Sequence, residues 1–341
     1  MKNYIYVFAV LLAINIFVPS AYFHFSGEST PGTHISVSSS DGADLFFTTD
    51  SSPQTAENSS SGSDSYYLYN LETQQLEEID LISFLVGSAA CEMPVTYEMQ
   101  AIKAQMVACH SYYLYCKKNG VPDDDLNLSF DERYMQKYAS KERLQEYWGM
   151  NFNDNYQKFL NCAYEIKDMV LRYDGDIALT PYYAVSCGKT QTSENEWGRK
   201  LDYLTVVESP DDVLSDNYLK IKTFTVQEMY DRFMTAFTGF DLSIENPEEW
   251  FGETVYNQSG YVTTVEVSDV KITGRDFRKY FELNSSCFMI FYEDGQFSIA
   301  TKGYGHGVGM SQFGANQLSQ QGKNYAEILS HYFPGTTLET I

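Results

Sequence analysis

The sequence predicts an α+β fold, with antiparallel hairpins packed against helices and one N-terminal transmembrane helix ahead of them. Three observations predict it. The chain opens on an almost uninterrupted apolar run from Tyr4 to Phe23. Helix caps followed by apolar residues at three- and four-residue spacing recur after residue 90. Two Asp-Gly pairs sit between runs rich in aromatic and β-branched residues, the pattern of hairpins with type I′ turns. Helices first, then hairpins interleaved with helices, is an α+β order.

Each element follows from local chemistry. At roughly 20 residues the opening run can span a bilayer, and it is long for the apolar part of a cleaved signal. Residues 1–25 therefore read as a membrane anchor or signal segment, with the anchor favoured and Lys2 placing the N-terminus on the cytoplasmic side. The rest of the chain would then lie outside the cytoplasm. From 26 to 65 the composition turns to Ser, Thr, Gly and Asp, as in "SVSSSDGADL" and "ENSSSGSDS", which reads as a disordered spacer. His24, at the end of the opening segment, and His34, in the spacer, therefore fall outside any folded site. One folded domain is expected over 66–341.

Within that domain, Thr96 precedes an amphipathic run to about Lys118, with Met99, Ile102, Met106, Cys109 and Tyr113 on one face. Thr225 and Glu228 form a capping box ahead of "QEMYDRFMTAF", and Asn324 with Glu327 does the same ahead of "YAEILSHYF". "MVLRYDGDIALTPYYAV" turns at Asp174-Gly175, and "CFMIFYEDGQFSIAT" at Asp294-Gly295. The six cysteines show no CxxC pair. Cys109 and Cys116 share a helix at about 10 Å separation, too far apart to bridge each other.

Charge narrows the partners. With 46 acidic against 23 basic residues the chain carries −23, which disfavours nucleic acid and anionic lipid surfaces. A neutral or weakly charged partner fits better.

The candidate sites can be tested one by one. "GYGHGVGMSQFGANQL", residues 303–318, spaces four glycines at every second position around Tyr304, His306 and Val308. No starting glycine there yields the i, i+2, i+5 spacing of a dinucleotide loop. "CGKT" at 187–190 lacks the earlier glycine of a phosphate loop, since Tyr183 stands there. Zinc needs three or four ligands, and only His110, His306 and His331 remain in the domain. Cys187 with His306 lacks the surroundings of a known nucleophile motif. If the glycine stretch is extended, one face is bare glycine, which would let a sugar polymer or a neighbouring strand approach closely. What remains is Glu92, between Cys91 and Met93 ahead of Pro94. Apolar neighbours desolvate a carboxylate and favour its protonated form, as a general acid needs. A solvated helix-connecting glutamate would look the same.

Three long segments together resemble the SpoIID/LytB domain family: "EMPVTYEMQAIKAQMVACHSYYL" (92–114), "YYAVSCGKTQTSENEWGRKLDYLTVVESPDD" (182–212), and the glycine stretch continued to "YAEILSHYFPGTTLE". They occur in order and cover the whole expected domain. The resemblance implies a lytic transglycosylase acting on peptidoglycan glycan strands stripped of stem peptides, during engulfment in sporulation. It implies Glu92 as catalytic acid and base. It also implies substrate contacts from Lys103 and Gln105, from Ser186, Gly188, Lys189 and Thr190, and from His306, Ser311 and Gln312. Stage II sporulation proteins P and M are the implied protein partners, and the sporulation septum the implied location. A non-catalytic, glycan-binding or amidase-modulating role is the rival within the same family. Two departures matter: His110 stands where the family commonly has Arg, and Ala184 and Lys189 occupy much of the neighbourhood where some relatives hold zinc. No metal or other cofactor is carried over.

Overall fold

The computed structural model describes residues 66–70, 75–119, 138–237 and 240–341. They form a mixed helix and strand domain. Strands β1 (Tyr66–Asn70) and β2 (Gln75–Ile79) pair antiparallel, then α1 (Leu81–Glu92) and α2 (Met99–Asn119) follow. Next come α3 (Lys141–Trp148) and α4 (Phe152–Ile166), then β3 (Met169–Tyr173), β4 (Asp176–Ile177), β5 (Tyr182–Tyr183) and the short α5 (Ser193–Trp197). A second region contains β6 (Leu219–Thr225), α6 (Val226–Ala236), β7 (Phe251–Tyr256), β8 (Val262–Val267), β9 (Val270–Thr273), α7 (Gly274–Tyr280), β10 (Phe288–Glu293) and β11 (Gln296–Lys302). The chain then returns through β12 (Met310–Ser311), α8 (Gln312–Gln320), α9 (Tyr325–Tyr332) and β13 (Thr337–Thr340).

The fold-class expectation needs one correction. Among the described residues no helix is long and apolar enough to cross a membrane. The helix of sufficient length, the 21-residue α2, carries Lys103, Gln105, His110, Lys117 and Lys118. Residues 1–25, on which the transmembrane expectation rests, and the 26–65 spacer lie outside the described residues.

Local signals in the sequence reappear as geometry. Asp174 (φ 50°) and Gly175 (φ 83°) turn β3 into β4, and Asp294 (φ 51°) and Gly295 (φ 77°) turn β10 into β11. These are the left-handed pairs that a type I′ turn requires. Both capping boxes form, Thr225 with Glu228 and Asn324 with Glu327. Two features differ. β5 does not extend the β3–β4 hairpin; it pairs in parallel with β12, Met310 opposite Tyr182 and Ser311 opposite Tyr183. And α2 is not one-sided: Ala101 through Ser111 are all buried. Its small residues let α1, α4, α8 and α9 and strand β3 close around it, so it is the central post of the domain.

Among the described residues two apolar cores result. The first gathers α1, α2 and α4 with Leu171, Val308, Met310 and the buried face of α9. The second lies inside β6–β11, where Trp250 stacks on Phe297 at 5.3 Å and Phe277 on Phe281 at 4.4 Å. Each such ring contributes on the order of 1.5–3 kcal/mol through burial.

Candidate active site

Glu92 is the last residue of α1, half-buried, with the buried Met93 capping the helix behind it. A helix ends here because Pro94 disfavours helical geometry at the residue before it. The Met93 N–H closes the last turn on the Ala89 carbonyl at 2.8 Å. The chain then crosses to α2, with Glu98 N donating to Asn316 Oδ1 at 2.8 Å. Lys158 Nζ holds the crossing open by donating to the carbonyls of Val95 (2.7 Å) and Tyr97 (2.5 Å).

A buried polar chain runs from α8 through α2 to β5. Gln312 Nε2 faces Gln105 Oε1 at 3.5 Å, Gln105 Nε2 donates to Cys109 Sγ at 3.4 Å, and Cys109 Sγ to the Tyr182 hydroxyl at 3.5 Å. Burial pushes the Cys109 thiol up to about 12 and the Tyr182 phenol well above its usual value; the Glu92 charge adds to both shifts. Cys109 and Tyr182 thus stay protonated at neutral pH, as hydrogen-bonding groups rather than ions.

The predicted residues fall into separate places. Gln105 and Gln312 belong to one polar chain, whose Cys109 and Tyr182 members feel the Glu92 charge. Ser186 and Ser311 belong to a second, joined by Asp212, a residue the sequence does not single out. Asp212 is fully buried, and its Oδ2 accepts from Ser186 N at 2.7 Å. Burial raises its pKa; the hydroxyls of Ser186, Ser311 and Ser209 oppose that rise. The parallel β5–β12 pair joins the two clusters, because Ser311 and Gln312 are consecutive and Tyr182 and Tyr183 likewise. Asp212 and Tyr182 both stand within the 182–212 family segment, the one in "SPDD" and the other at its head. The signal is present there but undifferentiated among many acidic and aromatic residues.

Gly188, Lys189 and Thr190 form the loop beyond Ser186, and their bonds run to 205–209 rather than to Glu92. Gly188 O accepts from Ser209 N at 2.9 Å, and Lys189 pairs with Glu208 at 2.8 Å. Thr190 Oγ1 donates to Thr205 O at 2.8 Å while accepting from Val207 N at 2.7 Å. Lys103 lies elsewhere again. It is buried and ion-paired with Glu165 on α4, so it meets neither solvent nor the Gln105 cluster.

The glycine stretch is not an extended strand. Gly303, Gly305, Gly307 and Gly309 all have positive φ, between 77° and 120°. They are buried, while Tyr304 and His306 are half-exposed. A Cβ on Gly309 would stand 2.1 Å from Pro181 O, and one on Gly303 2.7 Å from Val185 O. The glycine face is filled by the 181–185 segment, by its backbone at Gly303 and Gly309 and the Tyr183 side chain at Gly305, and by the Tyr261 ring at Gly307. His306 projects between the rings of Tyr183 and Trp197, each 5.4 Å away. Its Nδ1 accepts from Val308 N at 3.1 Å, which leaves Nε2 as the protonated nitrogen of the neutral ring. Gln191, which no sequence motif singles out as a site residue, is buried and donates to His306 O at 2.7 Å.

His110, where the resemblance leads one to expect Arg, is fully buried in the α2 post. Nδ1 meets the Met169 carbonyl at 3.1 Å and Nε2 the Tyr66 hydroxyl at 2.6 Å. A carbonyl only accepts, so Nδ1 carries the proton and Nε2 accepts from the phenol. This histidine holds β1 and β3 to α2. His331 meets Glu208 O at 2.9 Å on the half-exposed side of α9. Among the described residues no group of three or more His, Cys, Asp or Glu side chains is placed to hold a metal.

Known proteins share this chain's pattern. The SpoIID family model, described as a stage II sporulation protein, matches residues 69–173. Stage II sporulation protein D of Bacillus amyloliquefaciens is 31% identical over 274 residues, covering 80% of this chain and 77% of the relative. That of Bacillus subtilis (strain 168) is 30% identical over 273 residues, covering 80% and 78%. An amidase enhancer of the same Bacillus subtilis strain is 24% identical over 301 residues, covering 74% of this chain and 40% of the enhancer. With one relative at 31% identity across most of both chains, this chain belongs to the SpoIID family, the family of stage II sporulation protein D.

Proposed function

We propose that this domain is a lytic transglycosylase that cleaves peptidoglycan glycan strands in sporulation, with Glu92 as its catalytic acid and base. The observation that carries this reading is convergence. Gln105, Tyr182 and Gln312 come from three segments far apart in sequence and share one buried polar chain, and the Glu92 charge acts on its Cys109 and Tyr182 members. Glu92 also closes a helix, where the partial negative charge of the last carbonyls disfavours an ionised carboxylate. A proton held there is the one a glycosidic oxygen would take.

A single carboxyl suffices for this chemistry. Glycoside hydrolases generally use two, one as acid and one as base or nucleophile. In the transglycosylase reaction Glu92 gives its proton to the oxygen leaving N-acetylmuramate C1. The resulting carboxylate then takes the proton of the muramate 6-hydroxyl, whose oxygen bonds to C1 and leaves a 1,6-anhydro end. Protons and bonds balance, and no water is consumed. Gln105, Cys109, Tyr182 and Gln312 act as positioning residues. The substrate is neutral at the cleaved bond, which suits a chain of −23 net charge. On this reading the domain works outside the cytoplasm at the sporulation septum, on denuded strands, alongside stage II sporulation proteins P and M.

The match to an amidase enhancer supports a second reading, in which the domain binds glycan and modulates an amidase without cutting. Mass spectrometry of denuded glycan strands after incubation with the protein separates the two. Anhydromuramyl ends from wild type, reduced at least about 100-fold in Glu92→Gln, support cleavage. Equal products from both proteins would sink the role of Glu92, and no products from wild type would favour the modulator.

A further inference from the structure

Two thiols that the proposed reaction does not use converge on the turn at Ser259-Gly260. Cys187 belongs to the loop between β5 and α5, and Cys287 immediately precedes β10 in the second core region. Both rest on one turn. Cys187 Sγ meets the Ser259 carbonyl at 3.2 Å, and Cys287 Sγ lies 3.9 Å from where a Cβ on Gly260 would stand. The Cys287 thiol is the first influence lowering the Cys187 pKa, so the two side chains interact. The surroundings hold the pair from both sides: Tyr218 OH donates to Cys187 O at 3.3 Å, and Lys302 N to Cys287 O at 2.8 Å. All six cysteines of the chain are free thiols, so neither has another disulfide partner.

We propose that Cys187 and Cys287 are a disulfide-forming pair, oxidised by a small-molecule disulfide, whose cross-link fastens the 186–190 loop to the β6–β11 region. The two sulfurs differ in role. The Cys287 thiol lowers the Cys187 pKa against the effect of burial, aided by the Tyr261 hydroxyl and the Lys302 charge. The same interaction, with burial, holds the Cys287 thiol protonated. Cys187 is also the more exposed, half-buried where Cys287 is buried. It is therefore the attacking thiolate. Its sulfur bonds to one sulfur of oxidised glutathione and expels the other as a thiolate. Cys287 then loses its proton to solvent, attacks the Cys187 sulfur and expels the second glutathione thiolate. Two protein thiols are oxidised to one disulfide, and one glutathione disulfide is reduced to two thiols.

The cross-link would close a loop of about 100 residues, which restricts the unfolded chain strongly. The experiment takes the full chain, incubates it with oxidised glutathione, blocks the remaining thiols and digests it without reduction. The expected result is one peptide pair joined through Cys187 and Cys287, two hydrogens lighter than the sum, and a thermal midpoint raised by roughly 5 °C or more. In Cys287→Ala, Cys187 should stop at the mixed glutathione disulfide. Cross-links confined to Cys91, Cys109, Cys116 or Cys162 would overturn the proposal. So would a wild type in which Cys187 carries only glutathione. A 187–287 link with no rise in midpoint would overturn the fastening. None of these readouts depends on the reading of Glu92.

Discussion

The α1–α2 junction and the 303–309 stretch are both dense family motifs, yet they are built on opposite principles. At the junction the backbone is ordinary: a helix ends before a proline, and the half-buried Glu92 carries the carboxyl proposed to react. In the glycine stretch the backbone is the whole content, with four positive φ angles and no room for a single methyl group against 181–185 or Tyr261. Changing the first region should remove chemistry and spare the fold. Changing the second should do the reverse. A motif is not a site merely because it is distinctive; steric constraint leaves as strong a mark on a sequence as catalysis does.

The sharpest way to break this comparison is to cross the two readouts. Glu92→Gln should lose at least about 100-fold in anhydromuramyl product while its unfolding free energy stays within about 1 kcal/mol of wild type. Urea melts that show Glu92→Gln strongly destabilised would make Glu92 a structural residue. Gly309→Ala should behave oppositely. It adds a clash with a backbone carbonyl to the strain of φ 80°, and its loss should exceed the ~1–3 kcal/mol that strain alone costs. Gly188→Ala separates the two contributions, because φ is 109° there but nothing lies within 4 Å of the added methyl. Its loss should fall inside the strain range, about 1–3 kcal/mol. Equal losses at 188 and 309 would remove close packing from the account.

Thr190 provides a smaller test of the loop beyond Ser186. Thr190→Val removes a buried hydroxyl that both donates and accepts, leaving Thr205 O and Val207 N without it. The expected loss is about 1–3 kcal/mol, measured by the same melts.

The smallest effect is a pH slope. Burial raises the Asp212 pKa in the folded protein. Its stabilising contribution is therefore fully present below the unfolded value, about 4, and is lost as pH rises through the folded value. Asp212→Asn has no such loss. The stability of the variant relative to wild type should improve as pH rises from about 3 to neutrality, whatever the offset at the start. A difference that stays constant, or moves the other way, would mean that the folded protein does not hold the Asp212 proton more tightly than the unfolded chain.

Much of the fold is legible in the sequence. The two Asp-Gly turns and the two capping boxes are local, set by φ preferences and by bonds three residues apart, so a short window of residues suffices. Glu92 stands out through its apolar neighbours and through the family resemblance. The roles of Lys103 and Asp212 are not legible. Lys103 has the same local setting as Gln105 two residues on, yet the helix turn sends one to Glu165 and the other to Cys109 and Gln312. Asp212 sits in "SPDD" beside the exposed-side Asp211, which meets Gln321 at 2.7 Å. Only burial tells the two apart.

Residues close in the chain are enough to establish the mixed helix and strand composition of the domain, its turns and caps, and the three segments that mark its family. They do not establish that α2 is buried on all sides, that β5 pairs with β12 in parallel, or that the glycine face packs on 181–185 rather than lying open. Nor do they bring Cys187 and Cys287, 100 positions apart in sequence, onto one turn. Each of these rests on contacts between distant segments, whose pairing is set by how the whole chain fills space.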